Sequence, residues 1–228
     1  MQDGCAMKVS TDACIFGAWA AAQLRGKSGQ ALDIGTGTGL LSLMVAQQAP
    51  DLRIHAVELD AEAAAQATEN ARQSPFGSQV QVFALSVQDF LASTDSVYEF
   101  IFSNPPFFHR SLPSPQEQRN AARHTITLLH EEIVAIAAER LTLEGCFFVL
   151  LPTTATNTFV WQATKNGLLL HKLEYWASRQ GQQPHIALLK FGKLPCVEVQ
   201  KAHHYTCLTD GSYSPAFRAL LADYYLHF

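Results

Sequence analysis

The chain has 228 residues, 48% of them hydrophobic and 16% charged, with 16 Lys and Arg against 20 Asp and Glu for a formal net charge of -4. That balance fits one large α/β domain with a substantial core, and it excludes binding to nucleic acid through global charge, so an RNA partner would need a local basic patch. Five cysteines, Cys5, Cys14, Cys146, Cys196 and Cys207, form no Cys-x-x-Cys pair, and no apolar run reaches the roughly 18 residues of a membrane span; the expectation is a cytoplasmic protein with reduced thiols.

In chain order, Met7-Lys8-Val9-Ser10-Thr11-Asp12 precedes a small, apolar segment, Ala13 to Gln23, that reads as a helix capped by Ser10, Thr11 or Asp12. Capping alone accounts for Thr11 and Asp12. The functional alternative folds this segment over a cofactor, with Lys8 and Thr11 at its polar end. Ala31 to Ile34 then reads as a strand, Gly35-Thr36-Gly37-Thr38-Gly39 as a glycine-rich turn, and Leu40 to Ala46 as a helix. The spacing is Gly-x-Gly-x-Gly and not the Gly-x-Gly-x-x-Gly of dinucleotide sites. Asp33, just before the turn, would repel a pyrophosphate but could accept hydrogen bonds from an ammonium group such as that of S-adenosylmethionine, which favours a methyl donor over NAD.

A second strand, Arg53 to Glu58, brings Glu58 about 20 positions past the turn, where such folds read ribose hydroxyls. Asp60 reads as the cap of the helix Ala61 to Arg72. A third strand, Val80 to Leu85, leads to Ser86, which occupies the place of an adenine-amino acceptor, with Asp89 beyond it. The apolar run Tyr98 to Phe102 reads as a buried strand stopped by Pro105-Pro106, because neither proline can donate a ladder bond. The side-chain carbonyl of Asn104, the backbone carbonyl of Pro105 and the ring of Phe107 would then meet at the carboxyl end of the sheet, two acceptors beside one stacking plate, a set that suits an exocyclic amino group.

The polar stretch His109 to Thr127 carries Arg110, Arg119 and Arg123 and is the main local cationic segment, read as a substrate RNA loop. An ordinary solvated loop is the alternative, since Glu117 offsets part of the charge. A helix from about Leu129 to Leu141, a strand Cys146 to Leu151, and a helix Thr156 to Asn166 follow. Leu168 to Ala177 and His185 to Phe191 read as a hairpin, the link between them being too short for a helical crossover. Val197 to Thr206 reads as a short edge strand and Pro215 to Phe228 as a terminal helix. His203, His204 and Cys207 lack a fourth ligand nearby, so no metal is expected.

Together these residues resemble the class I S-adenosylmethionine-dependent methyltransferases, and Asn104-Pro105-Pro106-Phe107 resembles the signature of those that methylate planar amino nitrogens. Adding Met7 to Asp12, Gly17-Ala18-Trp19, Arg123 and Tyr213 to Phe217, the chain is similar over nearly its whole length to the bacterial tRNA(Val) adenine-N6 methyltransferases, which modify the purine beside the anticodon. The resemblance implies a Rossmann-like fold with a mostly parallel seven-stranded sheet and an antiparallel C-terminal hairpin, in a single methyltransferase domain: 1–30 closing the cofactor, 31–192 the core, 193–228 a last strand and helix. It implies S-adenosylmethionine held by Lys8, Thr11, Asp33, Gly35, Gly37, Gly39, Glu58, Ser86 and Asn104, and a tRNA anticodon stem-loop as partner. Such enzymes commonly carry Asp in place of Ser86 and Arg in place of Ile186. The same signature serves guanine-N2 methylation of ribosomal RNA and methylation of a glutamine amide, and an RNA-binding module without chemistry is the non-enzymatic alternative.

Overall fold

The computed structural model describes residues 10–106 and 130–228. Eight strands form one sheet in the order β3-β2-β1-β4-β5-β7-β6-β8. They are β1 Ser28–Ile34, β2 Asp51–Glu58, β3 Val80–Ala84, β4 Tyr98–Ser103, β5 Leu141–Pro152, β6 Leu169–Arg179, β7 Ile186–Gly192 and β8 Gln200–Cys207. The described helices are α1 Thr11–Leu24, α2 Leu40–Gln48, α3 Ala61–Gln73, α4 Val87–Ala92, α5 His130–Arg140, α6 Thr156–Lys165 and α7 Pro215–Leu221. Neighbouring strands run parallel except at β7, which is antiparallel to both β5 and β6. Strand order reverses between β1 and β4, and the crevice beyond the carboxyl ends of strands at such a reversal is where open α/β sheets hold ligands.

Buried strands read as continuous apolar runs because helices cover both faces of the sheet. On one side Ile15, Phe16, Trp19 and Leu24 of α1 pack with Val45 of α2, Phe148 and Trp176 of the sheet, and Phe217 of α7. On the other, Phe90 of α4, Ile133 of α5 and Phe159 of α6 pack with Ile101, Phe147 and Phe191. The small residues of α1 serve close approach. A Cβ at Gly17 would lie 2.5 Å from the Met44 sulfur, so glycine there lets α1 and α2 touch.

Three expectations need correction. The sheet has eight strands where seven were expected, because residues 200–207 pair in parallel with β6 along almost its whole length. The strand expected from Cys146 begins at Leu141. The terminal helix stops at Leu221 instead of running to Phe228. Beyond it Asp223 accepts hydrogen bonds from Arg25, Gln47 and Gln48, and the Tyr224 hydroxyl donates to the Met44 carbonyl, so side-chain anchoring onto α1 and α2 takes the chain off the helical path.

Candidate active site

Register sets the site. Ile34, the last residue of β1, pairs with Val57 on one side and with Ser103 on the other. Gly35, Glu58 and Asn104 are therefore the next residues along three adjacent strands, and Glu58 in turn pairs with Ala84 at the end of β3. The Ser103 hydroxyl donates to the Ile34 carbonyl at 2.9 Å, fastening the end of β4 to the end of β1. Asn104 follows half-buried, Pro105 is buried and Pro106 is exposed.

The glycine turn is built as a rigid rim. Gly35, Gly37 and Gly39 have φ of 72°, 57° and 84°, a region open to glycine at little cost. A Cβ at Gly35 or Gly37 would meet nothing within 4 Å, which leaves the backbone there open to a ligand, whereas one at Gly39 would touch Ala67 of α3 at 3.4 Å. The Gly35 and Thr36 amides both donate to the Val57 carbonyl. Asn70 of α3 donates to the Thr38 carbonyl at 2.9 Å. The Glu58 carboxylate accepts from the Gly37 amide at 2.8 Å and from the Asp60 amide at 3.0 Å, and each of its oxygens keeps a second lone pair.

Asp33 lies beneath this rim, fully buried. One of its oxygens, Oδ2, accepts from Thr36 at 2.6 Å and from Ser42 at 2.7 Å; the other, Oδ1, has no partner among the described residues. Burial pushes its carboxyl up to about 6, opposed by the bonds from Thr36 and Ser42 and assisted by the charge of Glu58. An unpartnered buried carboxylate oxygen is costly and suits a cationic ligand that would complete it.

Ser86 is the N-cap of α4: its oxygen accepts from the Asp89 amide at 3.0 Å and its hydroxyl donates to the Asp89 carboxylate at 2.7 Å. Asp60 caps α3, accepting from the amides of Glu62 and Ala63. Ser10 caps α1 and leaves Thr11 exposed on its first turn. Lys8, Phe107, Arg110, Arg119 and Arg123 lie outside the described residues.

Three features escaped sequence reasoning. Leu59 and Leu85 follow the ends of β2 and β3 and are 45% and 42% exposed, two large apolar side chains flanking the rim where a flat heterocycle would need cover. The signal was an apolar residue directly beside each predicted polar ligand, Glu58 and Ser86. Ser42 satisfies Asp33 from nine residues away. Asp12 accepts from His185 Nε2 at 3.0 Å and ties the first turn of α1 to the start of β7. The Asp12 bond raises the His185 pKa against partial desolvation.

Among the described residues no three His, Cys, Asp or Glu converge as metal ligands, and no helix is long and apolar enough to cross a membrane. His203 and His204, adjacent on β8, face opposite sides of the sheet.

A parallel sheet reversing at β1, with a glycine turn, an acidic strand end and an Asn-Pro-Pro strand stop on one edge, defines a Rossmann-like methyltransferase; residues 20–157 match the family described as Methyltransferase small domain. The fold is shared with a predicted O-methyltransferase of Agrobacterium tumefaciens, at a TM-score of 0.65 and 14% identity over 91% of this chain and 94% of that one. It is shared too with a T. thermophilus 16S rRNA N2 methyltransferase in complex with AdoMet and guanosine, at a TM-score of 0.57 and 19% identity over 83% of this chain and 44% of that one. The chain is 42% identical to a Klebsiella pneumoniae (strain 342) protein over 98% of this chain and 90% of the relative, and 39% identical to a Dyadobacter fermentans protein over 100% and 94%. Both relatives are named tRNA1(Val) (adenine(37)-N6)-methyltransferase, and this chain belongs to that family.

Proposed function

We propose that the protein methylates N6 of adenine in tRNA(Val), at position 37 beside the anticodon, using S-adenosylmethionine. The observation that carries this reading is the register that sets Asn104, Gly35 and Glu58 on one edge of the sheet, in a chain whose relatives bear that name. When bound, the donor supplies an electrophilic methyl group on a sulfonium sulfur.

The residues present suit that donor. Asp33 Oδ1 is the acceptor assigned to its ammonium group, and the open backbone of Gly35 and Gly37 is the surface assigned to its methionine part. Gly39 holds the turn against α3. Glu58 is assigned to the ribose, and Leu59 and Leu85 to the faces of the donor adenine, with Ser86 and Asp89 at its edge. Lys8 and Thr11 are assigned to closing the site, and Arg110, Arg119 and Arg123 to the RNA.

Asn104 and the Pro105 carbonyl are assigned to the two hydrogens of the target amino group. An adenine N6 lone pair is delocalised into the ring; acceptors fixed at both hydrogens favour a pyramidal nitrogen and stabilise the charge that develops as it attacks. Pro105 and Pro106 hold those acceptors rigidly, and Phe107 is assigned to stacking on the unstacked base. No strong base is needed, because the cationic product amine loses its proton to water. The test is incubation of the purified protein with labelled donor and tRNA lacking the modification, followed by nucleoside analysis. N6-methyladenosine is expected; N2-methylguanosine as the sole labelled product, or no label at all, would overturn the proposal.

A further inference from the structure

The two faces of the β6–β8 pair differ. Paired residues of parallel neighbours point to the same side, so one face carries Lys172, Glu174, Trp176 and His204, and the other carries Tyr175, Arg179, Lys201, His203 and Tyr205. The first face is a satisfied ion cluster, with Lys172 Nζ at 2.8 Å and His204 Nε2 at 3.1 Å from the two Glu174 oxygens. The helix that packs on β8 is α7, whose Phe217 and Leu221 lie in this same core layer.

The second face is buried at Leu173 and Ala177, where Leu173 shares a core layer with Phe159 and Ala163 of α6, and opens along β8 and at the end of β6. Lys201, His203 and Arg179 are exposed, and Tyr175 and Tyr205 are half-buried. The rings of Tyr175 and His203 lie 5.0 Å apart at 32°, a ready aromatic plate on the surface. The paired positions from Leu173 to Arg179 and from Lys201 to Cys207 on this face bring two cations and no carboxylate, in a chain whose net charge is -4. The charge of Arg179 reaches Asp210, whose carboxylate also accepts from the Ser212 amide and hydroxyl.

We propose that this face binds the substrate RNA flanking the target base, with Tyr175 and His203 stacking on an unpaired base and Arg179 and Lys201 taking phosphates. Position supports it. β8 lies four strand steps from β4, about 19 Å at the usual spacing of roughly 4.8 Å, which is the length of about five to six stacked nucleotides. Arg179 closes β6 at the carboxyl edge of the sheet, the edge that carries Asn104, so one RNA strand can reach both. Lysine and arginine interleaved with aromatic rings form the chemistry that tracks a nucleic-acid strand.

This inference rests on the proposed function, and the test separates the two. Affinity for full-length tRNA and for a short single-stranded oligonucleotide carrying only the target loop is measured against salt, alongside donor affinity and sedimentation. The double variant Arg179→Glu, Lys201→Glu should bind full-length tRNA about tenfold or more weakly and flatten its salt dependence by about two units of slope, while the short oligonucleotide and the donor bind as before. His203→Ala should lose about fivefold or more for tRNA, and His203→Phe should regain it. Exposed positions were chosen so that the variants fold, and thermal unfolding checks this. If the parent methylates tRNA and the variants match it in tRNA affinity and salt slope, this face is not an RNA surface and the proposed function stands. Variants that change sedimentation but not RNA affinity assign the face to a protein contact and overturn the inference. A parent that neither binds nor methylates tRNA removes the underlying reading itself.

Discussion

An acceptor held in place before the reaction gives its full effect in the transition state, since nothing must reorganise as charge appears. If the proposed function holds, Asn104→Ala should cost roughly 3 kcal/mol, about a hundredfold or more in single-turnover transfer, by analogy with loss of one oxyanion-hole group, with donor binding weakened only modestly. Asn104→Asp keeps an acceptor and should retain measurable transfer; equal loss in both variants would point to a steric role. Asp33 gives a pH prediction. Its carboxyl sits near 6 in the free protein, above its ordinary 3.8, chiefly through burial. A bound ammonium favours the ionised form, so donor binding should release a proton, and affinity should fall as pH drops through about 6, approaching tenfold per unit below it. For folding the sign is opposite. The folded state holds this proton more tightly, so the stabilisation from Asp33 is full below about 3.8 and lost as pH rises towards 6. Titration calorimetry of donor binding between pH 5 and about 8 tests the linkage, and Asp33→Asn should abolish it; a pH-independent affinity in the parent would remove Asp33 from the ammonium site.

The first turn of α1 is attached to the sheet through Asp12 and His185. The His185 carbonyl also accepts from the Thr153 amide and its amide donates to the Trp176 carbonyl, so this anchor sits where the ends of β5 and β6 meet the start of β7. A histidine whose pKa is raised by its partner stabilises the folded state fully below its unfolded value of 6.5 and loses that contribution as pH rises through the folded value. His185→Gln should therefore lower the melting temperature more at pH 6 than at pH 9, and Asp12→Asn should do the same; a pH-independent difference would show that the pair contributes packing and no charge. This contact illustrates what the sequence conceals. The glycine turn, Glu58 and Asn104 were legible because each is a local pattern at the end of an apolar run, and the parallel sheet follows from alternation of strands and helices. Asp12 and His185 are 173 residues apart, Ser42 meets Asp33 only after the turn closes, and Leu59 and Leu85 are ordinary leucines until their exposure is known. The eighth strand was read as a short edge because no local signal shows that residues 200–207 match β6 in register. The early end of α7 has no breaker residue in sequence; it follows from anchors at Asp223 and Tyr224 that reach back to α1 and α2.

At the scale of the molecule, α1 is buried by its neighbour α2, through Leu41, Met44 and Val45, and its remaining cover comes from the sheet and from residues 213–225. Phe217, Leu221 and Trp176 share its core layer, and Tyr225 packs against it. Synthesis runs from α1 onwards, at about 5–20 residues per second, so α2 emerges soon after α1 while Phe217 and Leu221 reach it last. Its length of 14 residues is marginal for an isolated helix, and ten of those residues are buried in the finished fold. A chain ending at Gly192 should thus keep the glycine turn and yet be cleaved by protease within residues 11–24, with donor affinity reduced by about tenfold or more; protection of that segment in the shortened chain would show that α1 docks without residues 213–225. The same geometry implies a timing device. A nascent chain carries Asn104 and the glycine turn before residues 213–225 have emerged to complete the cover of α1, so under the proposed function methyl transfer should reach its full rate only after those residues seat.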